Sequence, residues 1–429
     1  MNVYIEDNEL FYPEIKYIFN IFCLNKSIEY SLTQSYEKAD CIISTDVNAD
    51  IRISIEFFNL LKEGKNDYNL YFIDQCCYVD PNGFMDYLSS AFYILNTIQE
   101  INHSDIDQYG RFKYKNSFQF KFDNVKINIV QNLFDKIFQK VSKFGKFKSN
   151  LIKSKIFLSH DIDSLNGSLL QDSYYSIRKF RPDLLIKIIL LNLFKQPQWF
   201  NIDKIMKIES EYSFYSTFYW LVNRGRTTYG LNNSDYDINN SKVRFYINKI
   251  ENSNWENGLH KSASDESFET EILKLNCNVK GNRYHYLRFN PDKDYNVIEK
   301  SNLKFDSSLG FAEVTGFRSG YGLPFRPYSF TERRAFNFVE CPLHIMDTTY
   351  SNYKKVDAAE FFNEVIGFLE LNKYNSIISV LFHNNYLTPY KFNNYFKAIK
   401  MLLAYFYESD FKCITQSEII KIYYNEYKD

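Results

Sequence analysis

Apolar and polar positions alternate along the chain in two successive series of short segments. In residues 1–120, strand-like runs, NVYIE (2–6), CIIST (41–45), IRISI (51–55) and LYFID (70–74), are interleaved with helical patterns such as FYPEIKYIFNIF (11–22) and GFMDYLSSAFYILNTIQEI (83–101). The latter repeats apolar residues every three or four positions, which predicts a helix with one buried face. VQNLFDKIFQKVSKFGKF (130–147) predicts a second amphipathic helix ending near Gly145, and the connector FGKFKSNLIKSK (144–155) follows it. This arrangement places a boundary near residue 150 and makes residues 1–150 a smaller α/β domain of unassigned role.

From residue 151 to 429 strands and helices alternate. KIFLSH (155–160) is followed by a helical stretch through YYSIRKF (174–180), a Pro-containing linker KQPQWF (195–200), the helix IDKIMKIESEYS (202–213) and the strand STFYWLV (216–222). Then come the helix VRFYINKIENS (243–253), the short NGLH (257–260), the helix DESFETEILKLN (265–276), YHYLRF (284–289), LKFDSSLGF (303–311), CPLHIMDTT (341–349), the helix VDAAEFFNEVIGFLELNK (356–373) and the strand SIISVLFHNN (376–385). Such alternation predicts parallel strands with helical crossovers, and a distorted (β/α) barrel is the most economical closure.

The length of 429 residues fits two domains, and 45% apolar with 24% charged residues is the balance of a globular protein. Fifty-one basic against 52 acidic side chains leave a net charge of -1, with no basic excess for a nucleic-acid partner. The seven cysteines form no CxxC pair and read as reduced, mostly buried thiols. The acidic start MNVYIEDNELFYPEI lacks a signal-peptide layout, and the most apolar run, LLIKIILLNLF (184–194), contains Lys187 and is too short to span a bilayer. A cytoplasmic protein without a membrane span is the expectation. The 36 Tyr and 40 Phe accompany abundant Asn, Lys and Ile, so aromatic content alone does not indicate sugar binding.

Reactive groups in a parallel barrel sit at the carboxyl ends of its strands. Here one predicted strand runs into His160, Asp161 and Asp163, another ends at His260, a third carries Arg283, His285 and Arg288, and a fourth ends at His383. Each has a structural alternative: an aspartate helix cap, a histidine bonded to a backbone carbonyl, a packed strand histidine, the start of a turn. His103 and His344 read as structural. As a set, carboxylates and imidazoles are the ligands of a divalent cation, with a separate base and acid left beside it.

The order and context of SHDID (159–163), YSFYSTFYWLV (212–222), NGLHKSASDESFETEI (257–272), GNRYHYLRF (281–289), FDSSLGFAEVTGFRSGYGLPF (305–325) and SVLFHNN (379–385) resemble the polysaccharide deacetylase superfamily. With YGRFKYK (109–115), they resemble more narrowly a bacterial branch in which an α/β domain precedes the barrel. The resemblance implies that Asp161 is the catalytic base. The next residue is Ile162 rather than a metal-binding aspartate, and Asp163 takes that role. His260 matches the first histidine of the second motif, whereas Ser264 stands where its second metal-binding histidine would be. Arg283 matches the arginine that steadies the base, and His285, at the motif's proline position, restores a nitrogen ligand. His383 corresponds to the general acid. Asp306 and Arg318 lie in the segment expected over the barrel mouth and would contact a substrate hydroxyl or anionic group.

The implied activity is metal-dependent removal of an N-acetyl or other acyl group from an amino sugar in a glycan or glycan precursor, with zinc, cobalt or manganese as cofactor. The departures at Ile162 and Ser264 keep open a deacetylase-like barrel that binds a glycan or a partner without turnover.

Overall fold

A computed structural model describes residues 1–73, 76–147, 151–194, 196–228 and 230–425. The boundary expected near residue 150 falls on residues 148–150, outside the described residues. The N-terminal α/β domain is built on a parallel sheet of β1 (Asn2–Ile5), β2 (Ser31–Leu32), β3 (Cys41–Ser44) and β4 (Ile51–Arg52), in the order β2-β1-β3-β4. The domain's helices are α1 (Tyr12–Asn25), which packs on β1, α2 (Ile55–Lys62), α3 (Tyr87–Leu95), which packs on α1 and α5 (Ile129–Lys140), and the short α4 (Phe118–Lys121); a ribbon of β5 (Tyr78–Val79) and β6 (Met85–Asp86) precedes α3. Asp86 caps α3 by accepting from the Ser89 amide at 2.9 Å, and it also accepts from the Ser54 amide at 2.7 Å.

Two N-terminal expectations are corrected here. LYFID is no strand over its described residues: a single 3-10 turn, Tyr68–Leu70, takes up its start, and Tyr71 and Phe72 drop into the core from the turn that follows. The helix expected over residues 83–101 begins at Tyr87 and stops at Leu95, because Thr97 is left-handed with φ of 49°.

The second part carries a curled parallel sheet. Its strands are β7 (Lys155–Ile162), β8 (Thr217–Leu221), β9 (Glu256–Lys261), β10 (Gly281–Tyr284), β11 (Phe305–Asp306), β14 (Val339–Glu340), β15 (Leu343–Met346), β16 (Ile377–Leu381) and the appended β17 (Lys412–Cys413); β12 (Tyr328–Ser329) and β13 (Arg334–Ala335) form a separate hairpin. The order is β14-β11-β10-β9-β8-β7-β16-β15, with β17 also beside β7, a distorted (β/α) half-barrel. Its central strands are buried on both faces, as parallel strands under helices are; β7 is buried at seven successive positions, from Ile156 onward, and β8 and β16 along their whole length. YHYLRF does not continue as a strand past Tyr284, since Tyr286 and Leu287 take left-handed φ of 61° and 52°.

The two ends of this sheet are consecutive in the chain. β14 leads through Cys341 and Pro342 directly into β15, so backbone rather than a hydrogen-bond ladder joins them. The segment between β11 and β14 lies over this junction and meets the N-terminal domain. The Phe317 amide donates to the Val125 carbonyl at 2.8 Å, and the Val130 amide to the Gly320 carbonyl at 2.9 Å. Gly316, with φ of 148°, approaches so closely that a Cβ there would lie 2.3 Å from the Val125 carbonyl oxygen.

Helix α6 (Ser168–Arg178) and α7 (Pro182–Leu193) form a hairpin directly after β7, and α8 (Ile202–Ser210) returns the chain to β8. Among the described residues, no helix is long and apolar enough to cross a membrane.

Candidate metal centre and catalytic pocket

Alternation along β7 decides which of its polar residues meet. Asp161 faces the inside of the curl with Ser159, and Arg283 of β10 donates from Nη1 to both, at 2.9 Å to Asp161 Oδ1 and 2.8 Å to Ser159 Oγ. His160 points the other way, where its ring nitrogens meet the Phe382 carbonyl at 2.7 Å and Glu209 Oε1 at 2.5 Å. Ile162 is likewise buried in the core. Arg283 is itself fully buried. It donates from Nε to the Ser307 carbonyl at 2.9 Å and from Nη2 to Ser307 Oγ at 3.0 Å, and it stacks over the Tyr219 ring. A guanidinium fixed at this many points holds Asp161 in one orientation.

Asp163, His260 and His285 present donor atoms that all lie within 4.8 Å of one another. His260 Nδ1 lies 2.8 Å from the Arg283 carbonyl, an acceptor only, so that nitrogen carries the proton. In the neutral ring Nε2 then offers a lone pair, 3.2 Å from Asp163 Oδ1 and 3.5 Å from Asp161 Oδ2. Burial disfavours the imidazolium, yet Asp161 and Asp163 raise the His260 pKa, so without a cation a proton bridges this contact, and a metal ion would take that proton's place. Asp163 Oδ1 is also buried without a hydrogen-bond partner, an expensive state that metal ligation would relieve. The donor set, one carboxylate and two imidazoles, suits a divalent cation. Burial opposes ionisation of Asp163, but the neighbouring His285, His260 and His383 outweigh it and hold the carboxyl well below its ordinary value. Burial lowers the His285 pKa despite Asp163, which keeps that ring neutral and able to ligate.

His383 follows β16. Its Nδ1 lies 2.7 Å from Asp347 Oδ1, its amide donates to Asp347 Oδ2 at 2.6 Å, and its Nε2 lies 3.6 Å from Asp163 Oδ2. Burial disfavours the imidazolium, yet Asp347 and then Asp163 and Asp161 push its pKa up to about 10. Asp347, at the end of β15, is fully buried and was not singled out from the sequence; the strand-end logic applied to LHIMD would have found it.

The structure brings Asp161, Asp163, His260, Arg283, His285 and His383 together, all but Arg283 lining a cavity of about 480 Å³. Ser264 does not reach it; its hydroxyl lies 2.6 Å from that of Ser262 and accepts from Asn223. Asp306 and Arg318 are placed elsewhere. Asp306 is fully buried, accepts from Asn282 Nδ2 at 2.8 Å and the Ser308 amide at 2.9 Å, and is pushed up by burial, while burial and then Asp306 push the neighbouring Glu340 higher still. Arg318 is buried in a two-point pair with Glu100 of the N-terminal domain, Nε to Oε1 at 3.0 Å and Nη2 to Oε2 at 2.5 Å.

The N-terminal domain also reaches the cavity, through Gln108, Tyr109 and Arg111. Arg111 donates from Nη1 to the Tyr286 carbonyl at 2.8 Å, from Nη2 to the Tyr353 hydroxyl at 2.9 Å and from Nε to Asp107 Oδ2 at 2.7 Å. The Tyr109 ring stacks on Tyr286 at 5.0 Å, and Tyr286 stacks on His285 at 3.9 Å. YGRFKYK thus contributes a wall of the pocket and a clamp on the turn that carries His285.

Comparison with known proteins adds the following. The model of a family of unknown function, DUF7033, matches residues 1–146. No curated protein matches the chain. Among solved structures the chain is similar to a protein of Mycobacterium smegmatis described as a candidate polysaccharide deacetylase, at 12% identity and a TM-score of 0.40 over 64% of this chain and 91% of that one. It is also similar to a mutant of a CE4 family pseudoenzyme with restored enzymatic activity, at 10% identity and a TM-score of 0.31 over 62% and 68% of the two chains.

Proposed function

We propose that this protein is a metal-dependent hydrolase that removes an N-acetyl or related acyl group from an amino sugar of a glycan or glycan precursor. The observation that carries the reading is the convergence of His260 Nε2, an unpartnered Asp163 oxygen and His285 beside a separately held acid and base. A divalent cation such as zinc, held by Asp163, His260 and His285, would polarise the acyl carbonyl and acidify a water molecule.

The chain's own groups do the proton work. Asp161, its second oxygen engaged by Arg283, accepts the proton of the attacking water. His383, held by Asp347 as an imidazolium, donates from Nε2 to the departing amine, which otherwise leaves poorly. We assign residues 1–150 to a domain that completes the pocket and residues 151–429 to the barrel, acting in the cytoplasm on small or carrier-linked sugars.

The test is acetate release from acetylated amino sugars by metal-loaded protein, with metal content measured in parallel. Release that is abolished by Asp161→Asn, with metal retained, supports the assignment. Stoichiometric metal without turnover on any acetylated sugar would favour the second reading, a binding barrel, to which the Ile162 and Ser264 departures point.

A further inference from the structure

The α6–α7 hairpin is built inside out. In α6 the buried side chains are Ser168, Asp172 and Ser176, while Leu170 and Tyr174 stand 78% and 67% exposed. In α7 only Ile188 is buried, and Ile186, Leu193 and Phe194 face outward on one side, Leu193 and Phe194 at more than 70% exposure. The turn between the helices is capped by Phe180, the most exposed large apolar side chain among the described residues at 91%. An apolar surface of this extent is not left to water without a use.

Charge says what covers it. Arg178, Lys179, Arg181 and Lys187 are all exposed on the hairpin; of its two acids, Asp172 is buried and Asp183 is tied to Arg181 at 2.7 Å. Among the described residues no carboxylate pairs with Arg178, Lys179 or Lys187, although the chain as a whole carries a net charge of -1. An aromatic apex with a cationic collar, backed by two apolar helix faces, is matched to a boundary where acyl chains lie beneath anionic headgroups. A second copy of the hairpin would instead bring a like-charged collar against this one.

We propose that the α6–α7 hairpin docks the protein on an anionic lipid bilayer, with Phe180 and the outer faces of both helices in the interface and no segment crossing it. The hairpin is rooted beside the catalytic cavity: the Leu165 and Asn166 amides donate to Asp235 at 2.8 and 2.9 Å, and Gln171 of α6 lines the cavity and accepts from Lys391. Docking therefore holds the cavity mouth close to the headgroups. The inference rests on exposure and charge alone and stands whether or not the protein is a deacetylase.

The test is flotation of the full chain with vesicles of phosphatidylcholine alone or mixed with phosphatidylglycerol, at low and high salt, with light scattering of the lipid-free protein. The expected result is flotation with the anionic vesicles, weaker by roughly tenfold or more on the neutral ones and weakened by salt. A Phe180→Glu/Leu193→Glu variant, altered only at solvent-facing positions, should unfold at the parent's temperature and lose at least roughly tenfold in vesicle binding. Parent protein that fails to float with either vesicle overturns the proposal, as does undiminished flotation of the variant. A lipid-free dimer that the variant dissociates, with no flotation of the parent, assigns the face to a second copy instead.

Discussion

Arg111 donates from Nη1 to the carbonyl oxygen of Tyr286 at 2.8 Å, so a side chain of the N-terminal domain secures the backbone turn that carries His285. That turn needs securing. Tyr286 and Leu287 both hold left-handed φ, each at a cost of about 1–2 kcal/mol. Arg111→Ala is expected to weaken divalent-metal affinity by about 10- to 100-fold, as loss of a supporting contact does in metal sites. Competition titration against a chelating dye measures it; affinity equal to the parent's would show that the turn holds itself.

Asp161→Asn keeps the volume and the Arg283 contact but removes the proposed proton acceptor. The expected outcome is a fall in kcat of about 10²- to 10⁴-fold with metal stoichiometry unchanged. His260→Ala and His285→Ala should do the reverse first, lowering metal content before any effect on the proton-transfer step can be read. Elemental analysis alongside acetate release separates the two classes.

Glu100 and Arg318 form a buried two-point pair between the two parts of the chain. Glu100→Gln leaves a buried guanidinium without its counter-charge, and a loss of about 3–5 kcal/mol in unfolding free energy is expected. Denaturant titration reads it, and a loss under about 1 kcal/mol would show that water reaches the pair.

Asp172 accepts from Trp199 Nε1 at 3.0 Å beneath α6, and burial pushes its pKa up to about 6. In the unfolded chain it titrates near its ordinary 3.8. Between these values the folded protein binds the extra proton, so stability is fully present below the unfolded value and is lost as pH rises through about 6. Asp172→Asn should remove that decline, flattening the dependence of Tm on pH between about 4 and 7, where a single group contributes at most about 1.4 kcal/mol per pH unit. A profile identical to the parent's would mean that the carboxyl is solvated.

Periodicity made the alternation of strands and helices legible because both faces of β7, β8 and β16 are buried and their apolar runs are continuous. The rim residues were legible only as a set: each alone has a structural alternative, but Asp161, Asp163, His260 and His383 recur at the ends of several predicted strands. His160 could not be separated from Asp161 until the strand's direction was known, since a shift of one position changes the face. Asp306 and Arg318 read as mouth residues because their segment follows a strand. Their partners, Glu340 and Glu100, are 34 and 218 residues away, a distance that no local pattern encodes. The same holds for Arg111, whose contacts with Tyr286 and Tyr353 span 175 and 242 residues.

The junction at Cys341 and Pro342 has a consequence for how this protein keeps to itself. The terminal strands of an open sheet carry unpaired backbone groups that recruit strands from other molecules. Here the two terminal strands are halves of one segment, and Pro342 at their junction has no amide to offer. The flanks are spoken for as well: Glu340 exchanges two backbone bonds with Phe325, at 2.8 and 3.0 Å, the Leu343 amide donates to Leu309, and the His344 carbonyl accepts from Gly316. Strand exchange between copies is thereby blocked by chain connectivity instead of by edge charges, and concentrated protein should resist assembling through this sheet even while its helical hairpin remains open to lipid.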